Sequence, residues 1–544
     1  MKHVKQLLSA LLVLAVVLSL LPAGVLKASA AEAPAALDIG YPTFKNTELL
    51  DEVYDLSKLG VSYSEKDIMM AIYKQDLANG GDSFYMDRIL AREGVCNGNA
   101  GSNGNADGNT FLTRGRALYM YTSSPSVIGF GGNTAYHQPL GRGNLVRVLF
   151  SNADGSLTTK EDTSKRVNAP SNWSSTYSVG SNLTLDVVKF IHQENVAVTT
   201  MTLTNKSAED QAITVAADST FATEPGKVTV NGAEQTELTG TCSSPAGLTT
   251  IYARMTGDGF EAASSDDYCW LSRDVTVPAG GSVELKVVIA FTTEEIPEST
   301  AQYLRFAGLG NLEAVRAQKA EYNLYWAENL PYIDVPKKAV QKAIDYRWWL
   351  ERFNSLDANI PGYDYQYPVT IEGVLGYNNA IILTQPMHLQ DTKWLRSPYL
   401  AYGQLLSAGN SSQSSAFLDN PGNRNNWNNH YGQYLAEAGY EAFNVIGGGA
   451  EVAENFAYYF GHDATGQLEH YGNHIEGRDL ITYRNNYMTG NDADTISMHA
   501  PGTGTWKAHG ENAYVWAAAD AAAKLYEQLG NTEQAKYYRD LADK

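Results

Sequence analysis

The feature that most constrains the fold is a change of hydrophobic period near residue 300. Before it, apolar residues alternate with polar ones, as in Leu183, Leu185 and Val187 and again in Val283, Leu285, Val287 and Ile289. A two-residue period is that of a strand with one buried face. Turn clusters punctuate these runs, among them Asn152-Ala153-Asp154-Gly155 and Pro278-Ala279-Gly280-Gly281. After residue 300 the spacing lengthens. Val340, Ile344 and Trp348 recur every fourth position, with Ala343 and Leu350 beside them, as on the buried stripe of a helix. Glu511 to Leu529 is alanine-rich and ends at Gly530, and Thr532 then caps a further helix that runs almost to Lys544. The order is β then α: an antiparallel β-sandwich over 31–305, a linker over 306–330 and a helical domain over 331–544 with six or seven helices.

Residues 1–30 read as a secretory leader. Lys2 and Lys5 precede an apolar run from Leu7 to Leu21, and Ala28-Ser29-Ala30 has the small-residue pattern of a cleavage site. Pro22 and Gly24 interrupt the run, and no later stretch is long and apolar enough to span a bilayer. The expectation is a secreted chain with no membrane partner. Its net charge of −20 repels nucleic acid, and no basic cluster offsets it. A neutral saccharide is indifferent to that sign. Export permits a disulfide between Cys242 and Cys269, with Cys96 left over; three unpaired thiols are the other reading. Asn97 to Asn109, nearly all Gly, Asn, Ala, Ser and Asp, reads as a flexible loop.

Connections in the helical half carry the chemistry. His388, Gln390, Asp391, Lys393, Trp394 and Arg396 lie within nine residues, and Trp427 sits in an Asn-rich run from Asn425 to Tyr431. Flat aromatic faces suit the C–H surfaces of sugars, and amides, carboxylates and cations suit their hydroxyls. Loop-to-loop hydrogen bonding explains any single one of these residues equally well. Glycoside hydrolysis needs two carboxyl groups. The candidates in polar–aromatic surroundings are Asp492 and Asp494, then Glu372 and Asp391. A general acid must hold its proton near neutral pH, and Asp494, two positions away, offers Asp492 the coupling to do so. There is no phosphate loop and no nucleophile elbow. His470 and His474 have i, i+4 spacing and His462 lies nearby, but Gly472 and Asn473 weaken a helix there, and no H-E-x-x-H pattern occurs. Neither a metal nor a cofactor is expected. Asn152 to Ser156 lacks the closing Glu of a calcium loop and reads as a turn.

Three segments carry a family resemblance. Gly477-Arg478-Asp479-Leu480-Ile481 leads into Thr489-Gly490-Asn491-Asp492-Ala493-Asp494-Thr495-Ile496-Ser497, and Glu511-Asn512-Ala513-Tyr514-Val515-Trp516 leads into Leu529-Gly530 and Tyr537-Tyr538-Arg539. The third, less specific, joins Phe84-Tyr85-Met86-Asp87-Arg88 to the stretch Thr113 to Tyr119. In these the chain resembles the six-hairpin, (α/α)6-barrel glycoside hydrolases that include mannosylglycerate hydrolase-like proteins, α-glucosidase I and trehalase. It is most similar to secreted bacterial members with an N-terminal sandwich, some β-L-arabinofuranosidase-like. The resemblance implies that Asp492 is the general acid, although Thr489-Gly490 stands where the family pattern usually has Glu. It places the catalytic base beyond Lys544. Twelve barrel helices of about 11 to 12 residues with their connections need roughly 300 residues, and about 215 follow position 330. An incomplete barrel is therefore expected. The function implied is exo-acting, inverting hydrolysis of oligo- or polysaccharides. A glycoside phosphorylase or a non-catalytic carbohydrate-binding protein are the alternatives; a polysaccharide lyase, with its helices first and acidic substrates, fits less well.

Overall fold

The structure, a computed structural model, describes residues 33–45, 113–121, 126–244, 247–266, 268–331, 335–361, 366–371, 380–413, 415–419, 432–471, 482–483, 507–508 and 512–544. The expected leader, the stretch Asn97 to Asn109, the segment Phe84 to Arg88 and Cys96 lie outside these residues.

Fifteen strands come first among them. They are β1 (Leu118–Tyr121), β2 (Gly129–Tyr136), β3 (Gln138–Asn152), β4 (Gly155–Ser156), β5 (Thr159–Asn168), β6 (Trp173–Val179), β7 (Leu183–His192) and β8 (Val196–Asn205). They continue as β9 (Gln211–Asp218), β10 (Glu224–Val230), β11 (Ala233–Ser243), β12 (Thr250–Gly257), β13 (Glu261–Ser265), β14 (Tyr268–Val277) and β15 (Ser282–Thr292). One sheet runs β1-β2-β3-β9-β14-β13 with β4 on β3, and the other runs β10-β11-β12-β15-β8-β7-β6-β5. Neighbouring strands pair antiparallel, as with Leu185 opposite Leu203 and Val287 opposite Thr199. The alternation read from the sequence is the inner face. Leu185, Val187, Leu285, Val287 and Ile289 pack with Phe130, Val148, Val215 and Leu271 of the facing sheet in one core. Both turn clusters form turns: Asp154 N–H bonds the side chain of Asn152 at 2.9 Å, and Gly281 N–H the carbonyl of Pro278 at 2.8 Å. Cys242 on β11 and Cys269 on β14 are free thiols, so the disulfide reading is not realised.

Two helices follow, α1 (Pro297–Gly308) and α2 (Asn311–Asn329). The first covers the outer face of the second sheet. Tyr303, Phe306 and Ala307 bury Phe190, Val196, Val198, Val288 and Ala290 there. This second buried face explains why β15 ends in an unbroken apolar run instead of an alternating one. The residues read as a linker are thus largely the helix α2.

Among the described residues the remaining helices are α3 (Lys338–Asn354), α4 (Gln385–Thr392), α5 (Tyr399–Ser412), α6 (Leu435–Ile446), α7 (Ala450–Tyr471), α8 (Asn512–Gln528) and α9 (Thr532–Asp543). None of these is long and apolar enough to cross a membrane. Two short ribbons accompany them: β16 (Ser355–Leu356) with β17 (Val369–Thr370), and β18 (Thr482–Tyr483) with β19 (Lys507–Ala508). An aromatic seam joins the helices to the sandwich. Tyr119 of β1 meets Tyr322 and Trp326 of α2 and Trp348, Trp349 and Phe353 of α3. Val340, read as the first residue of the buried stripe on α3, is 45% exposed, so the stripe begins a turn later. The last helix is capped by Asn531, whose side chain accepts from Gln534 N–H at 3.2 Å; Thr532, read as the cap, is its first residue. Further in, α5, α6, α7 and α8 share one core. Glycine lets these backbones approach closely: a Cβ on Gly466 of α7 would stand 2.1 Å from the backbone nitrogen of Ala416.

Candidate functional site

The sequence makes the segment from His388 a connection, but the structure makes it mostly helix, because Pro386 starts α4 well and the run Met387 to Thr392 holds nothing that breaks it. Helical spacing then divides the nominated side chains between neighbouring helices. His388 Nδ1 lies 2.6 Å from Glu351 Oε1 of α3, and Asp391 pairs with Arg347 of the same helix at 2.5 Å. On the other side, Gln390 and Lys393 both donate to Glu441 of α6, at 2.8 and 2.9 Å, and Lys393 also bonds Gln390. Those two donors hold the Glu441 carboxyl below its usual range. Trp394 stays 55% exposed at the end of this row, with the Lys393 ammonium 5.5 Å from its ring centre. Arg396 is exposed beyond it, its backbone N–H bonded to Asn329 O at 2.8 Å. The structure therefore places His388 and Asp391 on the side of α4 toward α3 and Gln390 and Lys393 on the side toward α6, with Trp394 exposed just past the end of the helix. Arg347, Glu351 and Glu441, their partners, could not be found by reading α4 alone.

Trp427, Asp492 and Asp494, with Glu372, lie outside the described residues. So do His474 and the side chain of His470; His462 bonds the Tyr458 carbonyl of its own helix at 2.8 Å. The chain flanking the undescribed stretches is described, and it is tied together by two buried aspartates. Asp419, fully buried just before residues 420–431, accepts from Ile382 N–H at 2.8 Å, just after residues 372–379. Asp463 on α7 accepts from Phe417 N–H at 2.8 Å and from Gln433 Nε2 at 3.1 Å to each oxygen, so it holds the chain on both sides of 420–431. Gln467, one turn further toward the end of α7, donates to it at 2.9 Å. Residues 472–481 begin one turn after that.

Asp463 is 1% exposed and has no cation among the partners described. Burial raises its pKa to about 7; the bonds from Phe417, Gln467 and Gln433 pull the other way and do not win. The sequence carries a signal for it: Asp463 is the one carboxylate between Asn455 and Gln467, in a stretch rich in Ala, Tyr and Phe. Among the described residues no group of His, Cys, Asp and Glu has the geometry of a metal site.

No family model matches the chain. Among solved structures it is similar to a kojibiose phosphorylase-like protein from the human microbiome, with TM-score 0.48 and 8% identity over 74% of this chain and 60% of that one. It is also similar to a family GH92 inverting mannosidase of Bacteroides thetaiotaomicron, with TM-score 0.41 and 12% identity over 80% of this chain and 60% of that one. A family GH92 α-mannosidase of the same organism gives TM-score 0.37 and 11% identity, over 80% and 59%. The chain thus spans about 60% of the length of these structures. At such scores they bear on neither mechanism nor substrate.

Proposed function

We propose that this chain is part of a secreted glycoside hydrolase whose helices belong to an (α/α)6 barrel and whose general acid is Asp492. The observation that carries the proposal is the convergence at Asp419 and Asp463. Chain ends flanking the stretches that hold Glu372 and Trp427 are bonded to one another there, and the same α7 that carries Asp463 precedes, in the chain, the segment holding Asp492. A site assembled from several connections on a rigid helical frame needs such fixed roots. The end of α4 adds an exposed tryptophan bordered by amide, carboxylate and ammonium groups, a combination suited to sugar rings, with His388, Gln390, Asp391, Lys393, Arg396, Trp427 and Asp494 as binding residues.

In this reading Asp492 protonates the leaving glycosidic oxygen while a second carboxyl activates water on the opposite face of the ring. Inversion requires the two carboxyls roughly 6.5–9.5 Å apart, leaving room for that water. Exo action on plant or microbial oligo- and polysaccharides completes the proposal. The test is an Asp492→Asn variant of the full-length secreted product, assayed on a panel of aryl glycosides with NMR of the released anomer. Loss of turnover by a factor of about 100 or more with saccharide binding kept is expected for a missing general acid. An unaffected variant, or turnover that requires inorganic phosphate, would overturn it.

A further inference from the structure

Residues 33–45 cross the molecule from α7 to α2 along an extended path that belongs to no helix or strand. Leu37-Asp38-Ile39-Gly40-Tyr41 has the two-residue period of a strand: Leu37, Ile39 and Tyr41 are partly buried, and the residues between them are exposed. Among the described residues, however, no backbone–backbone hydrogen bond holds this segment. Side chains of other elements hold it instead. Asn455 of α7 donates to the carbonyl of Ala35 at 3.5 Å, Tyr367 donates to that of Leu37 at 2.8 Å, and Glu328 of α2 accepts from Lys45 N–H at 2.7 Å. Leu37 and Ile39 pack on the core of α5, α6, α7 and α8, and Phe44 meets Tyr325 of α2 edge to face at 5.3 Å. A half-exposed segment without a ladder opens more readily than the cores around it.

Tyr41 is where this segment touches the sandwich. Its ring centre lies 3.7 Å from the guanidinium of Arg116, its edge meets Tyr399 of α5 at 5.4 Å, and its hydroxyl accepts from Gln193 Nε2 at 2.6 Å. Burial first, and then the charge of Glu194, push the hydroxyl well above its ordinary pKa, so the phenol stays neutral. Arg116, just before β1, is itself buried. It bonds Asp357, which follows β16 on the helical side, and stands 3.6 Å from Glu194 Oε2 between β7 and β8. Tyr399 donates to Asp357 as well, at 2.9 Å. A backbone bond crosses the same boundary, from Asp357 N–H to Arg116 O at 2.8 Å.

Such an ion pair depends on the exclusion of water. At equal distance its attraction is about fourfold weaker at the dielectric of water than at that of a partly buried site. The Tyr41 ring covers the guanidinium, so lifting the segment admits water to the link between Arg116 and Asp357. We propose that residues 33–45 are a strap that docks and undocks as a unit, and that Tyr41, by keeping water off Arg116 and Asp357, sets how firmly the sandwich holds the helical layer. Tyr41 to Lys45 also line a cavity of about 640 Å³ between the sandwich and α1, α2 and α3, so strap and cavity open together. The aromatic seam of Tyr119 with α2 and α3 stays in place, so undocking loosens the joint without parting the halves. The inference does not depend on Asp492.

Hydrogen exchange of the full chain, read by mass spectrometry with fragmentation, tests this. The Lys45 N–H, held by Glu328, reports undocking and should exchange faster than the amides of β15 and α8, which lie in the cores of the two halves. Tyr41→Ala should speed both Lys45 and the 355–361 peptide, which holds the Asp357 N–H, about tenfold, the scale of a desolvated cation–π contact. The amides of β15 and α8 should keep their rates. Raising salt from about 0.05 to about 0.5 M should speed 355–361 more in Tyr41→Ala than in wild type, because a hydrated ion pair is screened and a covered one is not. Tyr41→Phe, which keeps the ring, should stay close to wild type. The proposal is overturned if Lys45 N–H is as protected as the two cores, or if Tyr41→Ala leaves Lys45 or 355–361 unchanged. It is equally overturned if Tyr41→Ala speeds β15 and α8 by the same factor, if Tyr41→Phe matches Tyr41→Ala, or if salt acts on wild type and Tyr41→Ala alike.

Discussion

Glu161 and Glu321 on the sandwich side and Asp463 in the helical layer are all carboxylates withdrawn from water, and their partners settle them in opposite ways. Glu161 of the sandwich suffers desolvation, but Arg166, Ser126 and Ser175 outweigh it and bring its pKa down to about 2. Glu321, where the sandwich meets α2, is likewise carried past its desolvation by His192 and Arg305, to about 2. Asp463 in the helical layer is met, among the described residues, by a backbone N–H and two amides, and burial takes it up to about 7. The lesson is that hydrogen bonds from neutral donors do not replace a cation once water is gone. A cation among the partners thus decides the charge state: Glu441 of the helical layer, met by Lys393, also stays below its usual range, whereas Asp463 is poised near neutrality beside the chain ends that flank residues 420–431.

Measuring stability against pH breaks that comparison most directly. For Glu161 and Glu321 the folded pKa lies below the unfolded value of 4.5, so their contribution is complete above that pH and is lost as pH falls toward 2. Asp463 has the reverse sign. The folded state keeps its proton while the unfolded chain releases it near 3.8, so stability falls as pH rises from about 4 to 7. Linkage makes that loss on the order of 4 kcal/mol. A protonated Asp463 also needs an acceptor; Gln467 Oε1, buried without a partner among the described residues, provides one on an amide flip. In Asp463→Asn the decline between pH 4 and 7 should disappear, as followed by urea unfolding across that range. A variant whose curve parallels wild type would remove Asp463 from this role.

Glycines sharpen the contrast at smaller cost. In the sandwich Gly280 has φ +65° with open space around its missing Cβ, so its role is conformational; Gly280→Ala should cost about 1 kcal/mol. Gly466 is needed for contact, since a Cβ there would meet the backbone beside Phe417, whose N–H Asp463 holds. Gly466→Ala should cost about 2 kcal/mol despite the better helix propensity of alanine. Equal losses in thermal unfolding would mean that α7 and the 415–417 segment are not so closely packed.

How much of this was legible beforehand follows the same division. Strand alternation is a local property, and Leu185, Val187, Leu285 and Ile289 face inward as read. Lys189, in the same strand, is buried because its ammonium finds the carbonyls of Val127 and Gly129, at 2.8 and 2.7 Å, some sixty residues away. Nothing beside it in the sequence announces those partners. The nominated residues of α4 were recognisable as polar and aromatic, but whether they face a ligand or each other is decided by Arg347, Glu351 and Glu441 on other helices. The Asp463 clasp joins residues up to 46 positions apart, a relation that no periodicity encodes.

That leaves Trp394, where a ligand role and a structural role give different results. His388, Gln390, Asp391 and Lys393 all have protein partners, so substituting any of them disturbs folding and binding together. Trp394 is 55% exposed, and its described ring contact is the Lys393 ammonium at 5.5 Å. Such a contact at an exposed site is worth about 0.5–1 kcal/mol at most. Trp394→Ala should therefore shift unfolding by only about 0.5 kcal/mol, while saccharide affinity at the end of α4 falls about tenfold, the scale of losing an aromatic anchor. Both quantities come from one titration series monitored by thermal unfolding with and without sugar. If stability drops by more than affinity does, the ring belongs to the packing of α4, and the polar side chains beside it are helix–helix contacts.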